Sequence, residues 1–515
     1  MLKVAIPDEM REIEKITIQK YGIPGMVLME NAAIRVVEQI LEQYTDLKQK
    51  GAVVICGTGN NGGDGLAIAR HLYQREIPIQ VVIIGWRKDI REDALNNLTI
   101  LEKIYNNIQY ANDLEGWERC VPFLCRSEIL IDAIFGTGLN RNVTGIAAVA
   151  IQWMVASHLP IVAVDMPSGI DASNGKIQGA AVRANHTITF SYPKVGQFLY
   201  PGRDYAGVLH IEEISIPHNL SDTIVREVLE KKDLARMITP RSRNTHKGDY
   251  GKVCIIAGSK GLTGAGAMTA QAAARMGSGL VTLGVPASLS PIYQNKLTEV
   301  MVFPLRDIEG SLTCDSMNDI HHLLKEKDVL AIGPGLGKRF ALHEIFRNIM
   351  SSYDIPIVID ADGLNHICQD INKFKSMNKR IIVTPHPGEM ARLTGLSTAL
   401  IVDDPINIAQ KYATEWNVVI VLKGSTTIIA APSGEVTFNL TGNPGMATGG
   451  SGDVLTGIIA GLLAQGFTLY DAARFGCYIH GIAGDACAKV NGEYGMLAGD
   501  LVQYLPLVLK EFAGR

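Results

Sequence analysis

The chain has 515 residues, 48 Lys and Arg against 52 Asp and Glu (formal charge −4), and 47% hydrophobic residues. That apolar content, with 52 glycines on no fixed period, excludes disorder, collagen and coiled coil. A pI near 6.3 leaves no global basic footprint, so nucleic acid is not an expected partner.

At the N-terminus, MLKVAIPDEMREIEK turns charged before an apolar core of signal-peptide length develops. The first half then repeats one grammar of β-branched run, glycine loop and helical pattern. Its runs are Ala52–Cys56, Ile77–Ile84, Glu128–Ile134, Pro160–Asp165 and Thr187–Phe190. Such runs alternating with helices predict parallel strands covered on both faces, an α/β fold. Ligands of open α/β sheets bind beyond the carboxyl ends of strands, which directs attention to the residues after each run.

After the first run, Gly57, Gly59 and Gly62 match G-x-G-x-x-G, a weak dinucleotide signal alone. A helix is expected from Leu66. The second run ends in Gly85-Trp86-Arg87, without the acidic residue that would hold a ribose, so ordinary hydride transfer loses ground. Asp132 and Asp165 end the third and fourth runs, followed by a glycine loop at Gly136–Asn142 and by Pro167-Ser168-Gly169. Asn61, Asp132 and Ser168 are therefore candidate hard oxygen ligands for a cation. The plainer alternative is that each carboxylate caps the turn after it. Cys120 and Cys125 are the closest cysteines, and without a C-x-x-C the eight thiols read as those of a reducing cytosol.

GNNGGDG, DAIFGTGLNR and DMPSGID, with MENAA at Met29–Ala33, resemble the N-terminal domain of the NAD(P)H-hydrate epimerases from about Asp8 to Pro217. The resemblance implies a Rossmann-like domain that binds NAD(P)H whose nicotinamide ring has gained water, together with potassium. It implies that Asn60, Asn61, Gly62, Gly63, Asp64, Gly136, Thr137, Gly138, Leu139, Asn140, Arg141, Asn142 and Asp165 contact the hydrate. Asn61, Asp132 and Ser168 would hold the potassium, and Asp165 is the leading acid–base candidate.

The polar stretch Ser221–Asp249 separates the halves, giving expected domains 1–217 and 235–515 with a linker at 218–234. The second-half runs are Lys252–Ala257, Leu280–Val285, Val329–Ile332, Pro356–Asp360, Arg380–Val383 and Val418–Leu422. Gly258–Gly266 opens a helix but is no Walker A loop, because Ala265 and Gly266 stand where Lys and Ser/Thr are required. The stronger phosphate candidate is Thr448-Gly-Gly-Ser-Gly-Asp453, entering an apolar helix whose dipole favours anions. Asp453 there is placed to take a proton from a hydroxyl; as a plain alternative it only complements the helix dipole. Lys423 and the hydroxyls after it suit phosphates or ribose, or else form an exposed hairpin tip. The apolar helix, Val454 to about Phe467, is too short to span a bilayer, and a cytoplasmic protein without membrane partners is expected.

AGS, IGPGLG, DADGLN, TPHPGE, LKGSTT and GGSGDVLTG in this order resemble the ADP/ATP-dependent NAD(P)H-hydrate dehydratases, a ribokinase-like family, over about Leu234 to Leu509. The resemblance implies that Lys423, Gly424, Ser425, Thr426, Thr427 and Gly452 bind the adenine nucleotide. It places Gly264, Ala265, Gly337, His386 and Asp453 on the hydrate pocket. Magnesium is implied with the nucleotide, near Glu389 by analogy with ribokinases, whose usual Asn-x-x-Glu is His386-x-x-Glu389 here. The fusion resembles the bacterial bifunctional repair enzymes, which use ADP. The expected partners are the small molecules NADHX, NADPHX and ADP, in a homo-oligomer. Two other readings compete: a small-alcohol kinase whose first half senses nucleotide, and a first half that only binds.

Overall fold

Apolar β-branched runs without polar alternation need cover on both faces. In the computed structural model they form the central strands of two mostly parallel sheets. The structure describes all residues except 125–126, 239, 378–379 and 514–515, so Cys125 lies outside the described residues. The chain folds as two units, Lys3–Val225 and Arg226–Arg515 with Met1–Leu2.

In the first unit the strands are β1 (Ala52–Cys56), β2 (Ile79–Ile84), β3 (Ile108–Ala111), β4 (Ile129–Ala133), β5 (Ile161–Val164), β6 (His186–Phe190) and β7 (Val208–Glu212). They lie in the order β3-β2-β1-β4-β5-β6-β7, all parallel. The chain moves outward from β1 to β3, then returns to β4 on the other side of β1. This reversal opens a crevice beyond the carboxyl ends of β1 and β4, where Gly57–Asn61 and Ile134–Gly138 stand. Strands β3 and β7 have no counterpart among the predicted runs. Both are sheet edges with mixed sequences (IQYA and VLHIE) and partly exposed faces, so neither carries a continuous apolar run.

Helices α1 (Pro7–Gln19), α2 (Gly25–Gln43) and α3 (Asn60–Gln74) build this unit's crevice side. Helix α3 starts six residues earlier than the glycine content suggests, and GNNGGDG is largely its first turns. The glycines serve contact there: a Cβ at Gly62 would lie 1.9 Å from the Gly57 carbonyl oxygen, and one at Gly65 would lie 2.5 Å from Ala133 Cβ. Close seating of α3 on β1 and β4 outweighs the helix propensity lost.

The second unit contains β8 (Arg226–Val228), β9 (Lys252–Ile256), β10 (Leu280–Pro286), β11 (Met301–Leu305), β12 (Val329–Ile332), β13 (Ile357–Ile359), β14 (Ile381–Val383), β15 (Val419–Leu422), β16 (Thr427–Ala430) and β17 (Val436–Asn439). Their order is β8-β17-β16-β15-β14-β13-β12-β9-β10-β11. From β11 to β15 the sheet is parallel; β16 and β17 extend it as an antiparallel hairpin. Here the order reverses at β9 and β12, which point at Gly258 and at Gly333–Gly337. The segment expected as a linker, 218–234, holds β8 and the start of a helix at Lys231–Met237, and Asp233 accepts a hydrogen bond from the Met1 amine at 2.8 Å.

Covering this sheet are α4 (Thr263–Arg275), α5 (Pro387–Thr394), α6 (Ser451–Ala464), α7 (Leu469–Asn491) and α8 (Ala498–Ala513). Helix α6 is buried along most of its length and packs on α4 and α7. Among the described residues no helix is long and apolar enough to cross a membrane.

Candidate functional site

The crevice of the first unit is a cavity of about 570 Å³. Asn60, Asn61, Asp64, Gly136, Thr137, Gly138, Leu139 and Asp165 line it together, and Arg11 and Glu14 of α1 line it too. Gly62 and Gly63 are buried packing positions and not wall residues, while Asn140, Arg141 and Asn142 are exposed beyond the lining.

Asp165 follows β5 in a left-handed conformation, φ +64°, which costs an L-residue energy and is held by its surroundings. Lys194 Nζ pairs with its Oδ1, Thr189 Oγ1 donates to the same oxygen at 3.1 Å, and Gln197 Nε2 donates to its carbonyl at 2.7 Å. Lys194 is 1% exposed and also donates to Thr189 Oγ1 at 2.9 Å and to the Phe190 carbonyl at 3.4 Å. Burial pushes the Asp64 carboxyl well above its usual range, and the nearby Asp165 and Glu14 charges add to that. Glu14 is raised in the same way, first by burial and then by Asp165. Sequence reasoning missed Lys194 and Glu14. Lys194 follows the end of β6, so the strand-end rule had the means to find it; Glu14, in a charged amphipathic helix, looks like any surface acid.

Of the three proposed cation ligands, Asp132 and Ser168 meet directly. Ser168 donates to Asp132 through its backbone N at 2.7 Å and its Oγ at 2.5 Å, and Ile134 N adds a third bond at 3.3 Å. Asp132 is fully buried with these neutral donors as its hydrogen-bond partners among the described residues, and burial pushes its carboxyl up to about 6. Asn61 hydrogen-bonds neither of them; its Nδ2 is buried without a partner, and its side chain lies against Gly136.

In the second unit, Asp360 ends β13 and is 1% exposed. Lys423, ending β15, donates to Asp360 Oδ1 at 2.7 Å and lies 3.8 Å from Glu389 Oε2. Thr456 of α6 donates to Asp360 Oδ2 at 2.8 Å, tying the phosphate-candidate helix to the strand end. Lys423 is thus a strand-end cation held between carboxylates, while Gly424 and Ser425 form the exposed turn and Thr426 is buried. Gly450 is left-handed (φ +95°) at the start of α6, and a Cβ at Gly452 would face Lys423 Nζ at 3.5 Å. Burial pushes the Asp453 carboxyl up to about 7, with Asp360 raising it further and Lys423 opposing.

The expected hydrate residues cluster around the same end of the sheet. Gly337 N donates to Asp362 Oδ2 at 2.9 Å, and the Asp362 charge is felt by Asp453. A Cβ at Gly335 would lie 3.0 Å from Ala265 Cβ, and Gly264 opens α4 next to it. His386 caps α5: its Nδ1 accepts from Gly388 N at 3.0 Å, and its own N donates to Glu389 Oε2 at 2.8 Å. Sequence reasoning missed His480, whose Nε2 is 3.3 Å from Ser451 Oγ at the start of α6; burial lowers its imidazole to about 4 and keeps it neutral.

Two families of domains match the chain: NAD(P)H-hydrate dehydratase over residues 253–507, and the YjeF-related protein N-terminus over residues 25–196. The bifunctional NAD(P)H-hydrate repair enzyme of Moorella thermoacetica is 42% identical, covering 98% of this chain and 96% of its own length. Its counterpart from Escherichia coli K12 is 34% identical over 98% of this chain and 93% of its own. A solved ADP/ATP-dependent NAD(P)H-hydrate dehydratase from Bacillus subtilis, co-crystallised with ATP and Mg2+, is 29% identical over 56% of this chain and 98% of its own, with a TM-score of 0.49.

Proposed function

The chain belongs to the family of bifunctional NAD(P)H-hydrate repair enzymes, and from that premise we propose how its own residues divide the work. It is a metabolite-repair enzyme that joins an epimerase to a dehydratase. The small-alcohol kinase reading and the reading of the first half as a mere binding module both give way to that relationship.

The dehydratase reaction takes place at Asp453. Hydroxide is a poor leaving group near neutral pH, whereas a phosphorylated hydroxyl departs readily with a push from the ring nitrogen. Asp453 takes the proton as the hydroxyl of the S hydrate attacks the terminal phosphoryl of ADP, giving AMP; departure of phosphate with the nitrogen's push leaves an iminium ring, which loses a proton from the neighbouring carbon to solvent to give NAD(P)H. The start of α6, with Gly449–Gly452, receives the phosphoryl group, and Lys423 offsets its charge. The observation that carries this is the convergence of Asp453, Gly452, Lys423 and Asp360 at one sheet end. Lys423–Thr427 hold the nucleotide, and Gly264, Ala265, Gly337 and His386 border the hydrate.

Magnesium supplies charge neutralisation at the phosphates when bound. The protein's own oxygens here are mostly engaged: Asp360 by Lys423 and Thr456, Glu389 by the His386 amide. That fits an ion carried mainly by the nucleotide, with Glu389 lending one oxygen at most.

In the epimerase unit, Asp165 is the base, fixed in place by Lys194 and Thr189. Asn60, Asn61, Asp64 and Gly136–Leu139 contact the hydrate, with Gly62 and Gly63 packed behind them and Asn140–Asn142 at the rim. Asp132, Ser168 and Asn61 suit potassium, because a buried carboxylate held by neutral donors gains from a hard cation, for which the Ser168 hydroxyl and the Asn61 side-chain oxygen are suitable neutral ligands. We place the enzyme in the cytoplasm, as a homo-oligomer acting on NADHX and NADPHX.

The test is one reaction: purified protein, mixed hydrate epimers, magnesium, and ADP or ATP, followed at the NADH absorbance. Recovery that depends on nucleotide, faster with ADP, is expected. Equal recovery without nucleotide would remove the phosphoryl mechanism.

A further inference from the structure

Epimerisation at Asp165 leaves one proton transfer without an owner. The hydrated carbon bonds a ring nitrogen and a hydroxyl, so its configuration is lost when the carbon–nitrogen bond opens to a carbonyl. Opening removes the hydroxyl proton as C=O forms, and the bonding pair returns to nitrogen, which takes up a proton. Closure on the other face reverses both transfers, and no oxidant or reductant enters. Two groups are needed, a base at oxygen and an acid at nitrogen.

Lys194 is the cation nearest Asp165, yet it is not free to be the acid. Its Nζ donates to Asp165, Thr189 Oγ1 and the Phe190 carbonyl, which uses all three of its protons. The acid is therefore sought among the carboxyls that line the same cavity. Two of them, Glu14 and Asp64, share the field of Asp165. Asp64 sits on α3 over the carboxyl end of β1, where its charge is felt by the buried Cys56 thiol. Glu14 reaches the cavity from α1, a separate element, as does Arg11.

We propose that Glu14 is the second proton-transfer group of the N-terminal site: it protonates the ring nitrogen as the ring opens and takes the proton back on closure, while Asp165 serves the hydroxyl. This rests on the epimerase reading of the first unit. Glu14 and Asp165 line the same cavity, and burial followed by the Asp165 charge raises the Glu14 carboxyl against the opposing Lys194 and Arg11 charges, which favours Glu14 as the proton donor of the pair. Glu14 also lies outside residues 25–196, the span matched by the N-terminal family, so no motif drew attention to it.

The test uses full-length Glu14→Gln and Asp64→Asn, with exchange of the R and S hydrates followed by chromatography. ADP-dependent dehydration of the pure S hydrate by the same samples serves as the control for folding. Expected for Glu14→Gln is a kcat for exchange lower by roughly 10²–10⁴-fold, the scale of a lost general acid, with KM within about twofold. Dehydration is expected at the wild-type rate. A kcat near wild type, a loss confined to KM, or a larger kcat loss in Asp64→Asn than in Glu14→Gln would each overturn the assignment. If the wild-type protein exchanges no epimers, the epimerase reading fails first, and that outcome is distinct from these.

Discussion

Asp453 carries two demands that oppose each other. As the proposed base it must be ionised, but burial and Asp360 push its carboxyl up to about 7. NADH recovery should therefore rise with pH through about 7 and level off above it, a profile that initial rates at saturating ADP will show. Asp453→Asn keeps the shape and removes the basic oxygen, so recovery should fall by roughly 10²–10⁴-fold while nucleotide still binds by calorimetry. The same shift makes a stability statement. A carboxyl raised in the folded state contributes stability that is present below its unfolded value near 3.8 and is lost as pH rises through about 7. Asp453→Asn should consequently melt higher than wild type at pH 8, with the gap closing toward pH 4. A variant that is less stable at pH 8 would show that Asp453 is held by contacts that outweigh its burial.

At the scale of elements, two glycine-rich helix starts look alike in sequence and do different jobs. In α3 the glycines fit backbone to backbone, so Gly62→Ala drives a methyl into the Gly57 carbonyl at 1.9 Å. It should cost about 1–3 kcal/mol of stability, read as a lower melting temperature of the first unit. In α6 a Cβ at Gly452 meets nothing closer than 3.5 Å, so Gly452→Val should leave the fold intact and weaken ADP binding, measured by titration. Melting and binding effects in the reverse pattern would exchange the roles of the two loops. This contrast also shows what the sequence could reveal. The central strands, the two Asp-ended strands and the GGSGD turn were readable because each combines an apolar run with chemistry at its end. The start of α3 was not readable, since propensity argues against glycine in a helix and only the tertiary fit to β1 and β4 overrides it. The edge strands β3 and β7 were hidden for a related reason: half-exposed strands of mixed sequence carry no continuous apolar signature. Glu14 and Lys194 show the limit at the site, where the partners of a recognisable residue come from segments whose own pattern is ordinary.

At the scale of the whole molecule, each unit has its own core and its own candidate site, so a single substitution is expected to silence one reaction and spare the other. Both activities together matter only for a mixture of epimers, because the dehydratase acts on the S form. With mixed hydrates, magnesium and excess ADP, the wild-type enzyme should recover NADH to completion, drawing R hydrate through the first unit as S is consumed. Asp165→Asn should recover the S fraction at the normal initial rate and then slow to the pace at which the hydrates exchange on their own. Asp453→Asn should recover almost nothing, yet chromatography of the remaining hydrate should show the epimers at equilibrium. Mixing the two variants should restore complete recovery, since the R and S hydrates are free to diffuse between sites on different molecules. A mixture that still stalls at the S fraction would mean that hydrate passes between the two sites of one chain without release, or that Asp165→Asn has damaged more than its own unit. Dehydration of pure S hydrate by that variant at the wild-type rate would exclude the second explanation.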